Sequence, residues 1–161
     1  MTLRPRLAGC LSIAAFVLAA AARAAETKPP VYKCIGFAEP MRDDMNIARG
    51  RVLPLRGKLE MESGAFADGK TVKAAPKVRV FYLPESGPEV DRTDQIDVRD
   101  YGKGTSFVWD PEAHWKFDLG TLKFEKAGRY KAQMLSGDEA EYRIDPICQV
   151  TFQLRGERGE K

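Results

Sequence analysis

From Cys148 to Arg155 apolar and polar residues alternate without a break, with Cys148, Val150, Phe152 and Leu154 on one side and Gln149, Thr151, Gln153 and Arg155 on the other. Successive side chains of a strand point to opposite faces, so a period of two marks a strand half-buried against a core. Leu53, Leu55, Leu59 and Met61 repeat the pattern against Arg56, Lys58, Glu60 and Glu62, with Gly57 as a gap in the inner face. Shorter runs predict strands over 31–37, 77–83, 106–110, 114–119 and 128–136, separated by turns such as 84–88 and Ser136-Gly137-Asp138. No stretch sustains a helical period. About seven strands with glycine and proline punctuation predict an all-β protein, an immunoglobulin-like antiparallel β-sandwich. Phe107 and Trp109 share one face of their strand, and Trp115 and Phe117 share one face of the next; these rings are the predicted centre of the core.

Ahead of the patterned region the chain changes character. Arg4 and Arg6 precede a run over 7–22 that is apolar apart from glycine and Ser12, and Ala22-Arg23-Ala24 follows. A basic start, a short apolar run and small residues at the processing positions have the order of a secretory signal peptide, cut after Ala24. A membrane anchor needs about 20 apolar residues, and this run is shorter. Leu7-Ala8-Gly9-Cys10 spells a lipoprotein box, but its cysteine precedes the apolar run instead of ending it. Residues 25–161 are then a single domain of 137 residues with polar tails, periplasmic or secreted, with no membrane span after cleavage.

Removing that segment changes both charge and cysteine count. The 26 lysines and arginines lose Arg4, Arg6 and Arg23, leaving 23 basic residues against 23 acidic ones, so the mature body has no net positive field to recruit nucleic acid or anionic lipid. Cys10 leaves too, and Cys34 and Cys148 remain as an even pair, which in an exported domain reads as a disulfide closing most of the chain; two free buried thiols are the alternative.

In Ala127-Gly128-Arg129-Tyr130 a tyrosine opens a strand after a glycine turn, as in the tyrosine corner of immunoglobulin-like domains, where the hydroxyl bonds to backbone. A simply packed ring is the other reading. Ile47 through Leu59 resembles the signature stretch of the bacterial PxKF-type modules, with Gly50, Pro54, Arg56 and Leu59 where that pattern has Gly, Pro, Lys and Leu. Gly57 replaces its phenylalanine. The resemblance implies an exported immunoglobulin-like module and brings no catalytic residues.

Candidate chemistry is sparse. A single histidine, His114, removes histidine-cluster zinc sites and most imidazole dyads within one chain, and no nucleophile elbow, phosphate loop, CxxC pair or EF-hand spacing occurs. Asp91, Asp94, Asp97 and Asp100 recur every third residue within 89–100. If that stretch is a loop, they offer oxygen ligands to Ca²⁺ or a trivalent cation; otherwise Arg92 and Arg99 compensate them on a solvated surface. Met41 and Met45 with His114 form a set of soft and borderline ligands that suits copper, against the commoner use of methionine to fill core gaps. The preferred expectation is a non-enzymatic exported binding module, without a cofactor, that presents loops or an edge strand to an envelope protein or small ligand. A metal-binding protein is the alternative, and an enzyme of unknown class comes third.

Overall fold

The computed structural model describes residues 28–97, 104–112 and 114–156. The predicted signal segment, Asp100 and the last five residues lie outside them. The chain forms β1 (Val31–Phe37), β2 (Met45–Ala48), β3 (Val52–Glu60), β4 (Lys77–Leu83), β5 (Val90–Asp91), β6 (Val108–Asp110), β7 (His114–Gly120), β8 (Gly128–Leu135), β9 (Arg143–Ile144) and β10 (Cys148–Arg155), with one 3-10 turn at Thr93–Gln95.

Two five-stranded sheets pack face to face. The first runs β6-β7-β3-β1-β9 and the second β2-β10-β8-β4-β5. The long ladders β1–β3, β3–β7, β4–β8 and β8–β10 are antiparallel, while the short edge strands β9 and β2 join β1 and β10 in parallel. Each long strand sends alternate side chains inward, because its apolar residues recur every second position. Leu53, Leu55 and Leu59 of β3 meet Val150, Phe152 and Leu154 of β10 in a core that also holds Phe107, Trp115, Phe117, Phe124 and Tyr130. Trp109 is only partly buried and packs edge-on against Trp115, with ring centroids 5.4 Å apart.

Cys34 of the first sheet and Cys148 of the second form the predicted disulfide, with Cα atoms 5.2 Å apart and a sequence separation of 114. Gly57 is the gap that admits this clasp. A Cβ there would lie 2.8 Å from the end of Met134 and 3.4 Å from the Cys148 sulfur. A phenylalanine here, as in the resembled pattern, would have to displace the Met134 side chain. Trp115, directly across the ladder from Gly57, is buried with its indole N–H donating to the Ala67 carbonyl at 3.1 Å. The Tyr130 hydroxyl donates to the Lys126 carbonyl at 2.8 Å, so it ties down its corner and is not merely a packed ring. Two packed sheets, an inter-sheet disulfide, a buried tryptophan and a tyrosine corner make this an immunoglobulin-like β-sandwich, all-β, with ten strands among the described residues where alternation predicts about seven. The additions β2, β5 and β9 have two to four residues each, too short to show a period.

Candidate functional site

Strand β1 turns Tyr32 and Cys34 inward, which leaves Val31, Lys33 and Ile35 as its outward row. Two large aliphatic side chains of that row stay exposed, Val31 at 43% and Ile35 at 50%. A recess of about 280 Å³ beside Val31 and Lys33 is closed by Glu60, Met61, Gly64 and Asp145. A second, about 220 Å³, opens beside Ile35, between Phe37, Ala38, Arg56, Lys58 and His114. The second owes its shape to a bulge. Cys34 pairs with Leu59 but Phe37 with Gly57, so β1 holds one extra residue there, and Gly36 takes φ +101°, a left-handed value that favours glycine.

Around this row the charges are arranged in pairs. Arg56 bonds Asp118 at 3.0 Å, and Lys58 lies over the Phe66 ring at 5.1 Å. Lys116 bonds Asp110 at 2.8 Å. His114 and Asp110 are direct cross-strand partners, and the backbone N–H of Glu112 folds back to donate to the Asp110 carboxylate at 3.1 Å. The hydrogen bond from Lys116, then that from Glu112, holds the Asp110 carboxyl below its usual range. Ligand atoms of Asp110, Glu112 and His114 all lie within 4.8 Å of one another.

The outer face of the second sheet is of another kind. Arg79 pairs with Asp91, Arg129 with Asp44 at 2.9 Å, and Lys131 with Glu89 at 2.6 Å, while Gln133 bonds Gln149. Its outward aromatic, Phe81, has Arg79 and Lys131 over its ring at 5.0 and 5.2 Å. A third recess, about 370 Å³, sits at the end of the sandwich between Leu135, Glu139 and Ile147. Its apolar residues Ile144 and Ile147 pack on the core.

The predicted aspartates take separate settings. Asp91 ends β5 on the second sheet; burial pushes its carboxyl up, but the hydrogen bonds from Thr93 and Arg79 outweigh burial and leave it low. Asp94 stands exposed in the 3-10 turn. Asp97 has crossed to the first sheet, where its N–H donates to the Gly120 carbonyl at 3.3 Å and its carboxylate lies 3.8 Å from Lys123. Asp100 lies outside the described residues. Among those residues, the group of three convergent carboxylate or imidazole ligands is the one at Asp110, Glu112 and His114, and it contains none of the four. Met41 is buried in the core, and the Met45 sulfur, on edge strand β2, accepts from the Arg42 N–H at 3.4 Å. His114 belongs to the opposite sheet. Asp43 accepts from the Thr151 N–H and hydroxyl, pinning the loop before β2 to β10.

Three more groups are shifted for structural reasons, and Tyr130 is pushed up chiefly by burial. Asp68 is held low chiefly by the Thr71 hydroxyl within a turn. Burial pushes the Tyr142 hydroxyl up to about 12, and that hydroxyl donates to the Ala74 carbonyl while accepting from the Gly137 N–H.

No family model matches this chain, and no curated protein does, so the PxKF-type resemblance of 47–59 has no support from either. Similar solved structures include the Lin-41 filamin domain, 14% identical with a TM-score of 0.38, covering 77% of this chain and 91% of that one. The RIG-5 IG1 homodimer is 12% identical with a TM-score of 0.32, covering 80% and 98%. A titin Ig tandem is 12% identical with a TM-score of 0.33, covering 76% of this chain and 49% of its own. Likenesses of this strength carry nothing about ligand or activity.

Proposed function

We propose that the protein is a non-enzymatic exported interaction module that takes its partner, an envelope protein segment or a small ligand, on the outer face of the first sheet along β1. The observation that carries this reading is the outward row of β1, where exposed Val31 and Ile35 each adjoin a recess. Apolar surface left open beside concave, charge-rimmed walls favours association, because covering it removes it from water.

Strand addition at an edge is the weaker form of the same idea. The edges β6, β9, β2 and β5 offer three, two, four and two residues, and the bulge bends β1 where β9 leaves it uncovered. Short edges and bulges discourage pairing with another chain. Export is supported by the sequence at 1–24 and by a disulfide of the kind that persists in oxidising compartments. Among the described residues no helix is long and apolar enough to cross a membrane. Against an enzyme stands the character of the shifted groups, which are carboxylates held in turns and ion pairs and tyrosines bonded to backbone.

A photo-crosslinking residue placed at Ile35 tests the assignment against the same residue placed at Gln133 on the other sheet, each in the native envelope. Adducts of defined mass from position 35, lost when Val31→Asp is added, are the expected result. Adducts from position 133 alone, or none from 35, would refute it.

A further inference from the structure

Asp110 ends β6 and His114 begins β7, and the ladder makes them direct partners. Side chains of such a pair emerge on the same face about 5 Å apart. Glu112, in the connection between them, is folded back by its N–H bond to the Asp110 carboxylate. Three donors from five consecutive positions therefore converge, with all their ligand atoms within 4.8 Å.

We propose that Asp110, Glu112 and His114 bind a divalent transition-metal ion of the zinc and copper class. The donor set decides the class. One imidazole nitrogen and two carboxylates are a common three-residue set for zinc, which completes its shell with water, whereas Ca²⁺ calls for six or more oxygens. The two carboxylates and Lys116 sum to one negative charge, which a divalent cation more than balances. Asp110 keeps its bond to Lys116 while binding, since each carboxylate oxygen has two lone pairs. Tetrahedral ligands about 2.0–2.2 Å from zinc stand closer together than 4.8 Å, so the donors draw inward on binding; Asp110 and His114 are both partly exposed and Glu112 is exposed, which leaves them room to move. Copper(II) binds more tightly than zinc to the same donors. The site is distinct from the aspartates of 89–100 and from any copper site using Met41 and Met45, and it does not depend on the partner proposed for β1.

His114 is the chain's only histidine, so its ring gives one set of imidazole signals in a proton–nitrogen spectrum. Titrating the purified protein with zinc chloride is expected to move those signals to saturation at one equivalent, and His114→Ala, Asp110→Asn and Glu112→Gln each to weaken binding by roughly tenfold or more. Asp94→Asn is expected to leave affinity unchanged. Ring signals that stay put in excess zinc would overturn the proposal, as would zinc binding that survives His114→Ala or is lost in Asp94→Asn. Because the first readout uses the unaltered protein, a variant that fails to fold does not shield the idea.

Discussion

On the second sheet Phe81 lies under Arg79 and Lys131, and those cations are in turn bound by Asp91 and Glu89. On the first sheet Val31 and Ile35 stand 43% and 50% exposed, with recesses beside them and His114 at the rim of one. Both faces come from the same strand pattern, in which every second residue points away from the core. Their difference lies in what the outward positions carry. On the second sheet, charges of opposite sign meet across β4, β5 and β8 and roof the one aromatic. Strand β1 alternates two aliphatics with a single lysine, and its bulge shifts the register against β3 between Cys34 and Phe37. Inside, the sheets are equivalent and share one clasp. The interior is common to both sheets, while the two exteriors differ in the apolar surface they leave open, and the proposed binding face is the more open one.

The largest expected effect breaks the shared interior. Replacing Cys34 and Cys148 by serine releases a loop spanning 114 positions and is expected to lower stability by about 4–5 kcal/mol in the chain-entropy model. A denaturant titration beside the unaltered protein measures it, and a loss below about 1 kcal/mol would show that packing alone holds the sheets together. Next comes a pH effect. The Tyr142 hydroxyl ionises near 10 in the unfolded chain and near 12 in the fold, so the folded state holds the extra proton between those values. Stability is full below pH 10 and falls as pH rises toward 12, by up to about 2 kcal/mol. Thermal melts across that window should show the decline, and Tyr142→Phe should lessen it, leaving the part due to Tyr130, whose hydroxyl burial also pushes up.

Smaller effects sharpen the contrast between the faces. Arg79→Ala on the second sheet removes an exposed ion pair and one cover of Phe81, and is expected to cost about 0.2–1 kcal/mol, less in high salt. Ile35→Asp on the first sheet is expected to change stability by no more than about 0.5 kcal/mol, because the side chain is half exposed. Yet that substitution should abolish partner binding, whereas Arg79→Ala should not. Equal loss of binding from both variants would erase the distinction.

Much of this architecture was legible from alternation alone. The predicted runs over 31–37 and 77–83 coincide with β1 and β4, and those at 114–119 and 128–136 lie within one residue of β7 and β8. The run from Leu53 to Met61 is β3 displaced by one residue, and the run at 106–110 shortens to β6. The pairing of Cys34 with Cys148 follows from their number once Cys10 is assigned to the predicted signal segment. What pattern could not supply is register and long-range pairing. Strands β2, β5 and β9 are too short to show a period, and their partners are distant in sequence. Gly57 looked like a flaw in an inner face until its neighbours proved to be Met134 and the Cys148 sulfur.

The candidate site was harder to see. His114 is the sole histidine and groups in the sequence with the soft ligands Met41 and Met45, while Asp110 and Glu112 carry no distinguishing spacing of their own. Asp110, Glu112 and His114 follow a period of two, and that period becomes a cluster only when the chain reverses between β6 and β7. The aspartates of 89–100 show the opposite case. Their regular spacing looked like a ligand set, but the segment passes from the second sheet at Asp91 to the first at Asp97, so its described members end up with Arg79, solvent and Lys123.

Hydroxyl-radical footprinting of the protein in its native envelope, compared with the purified protein, tests the central claim directly because it reads both exteriors in one sample. Protection of Val31 and Ile35 with unchanged labelling of Phe81 and Leu83 is the predicted result. Protection of Phe81 and Leu83 with Val31 and Ile35 still labelled would contradict the assignment of binding to the first sheet.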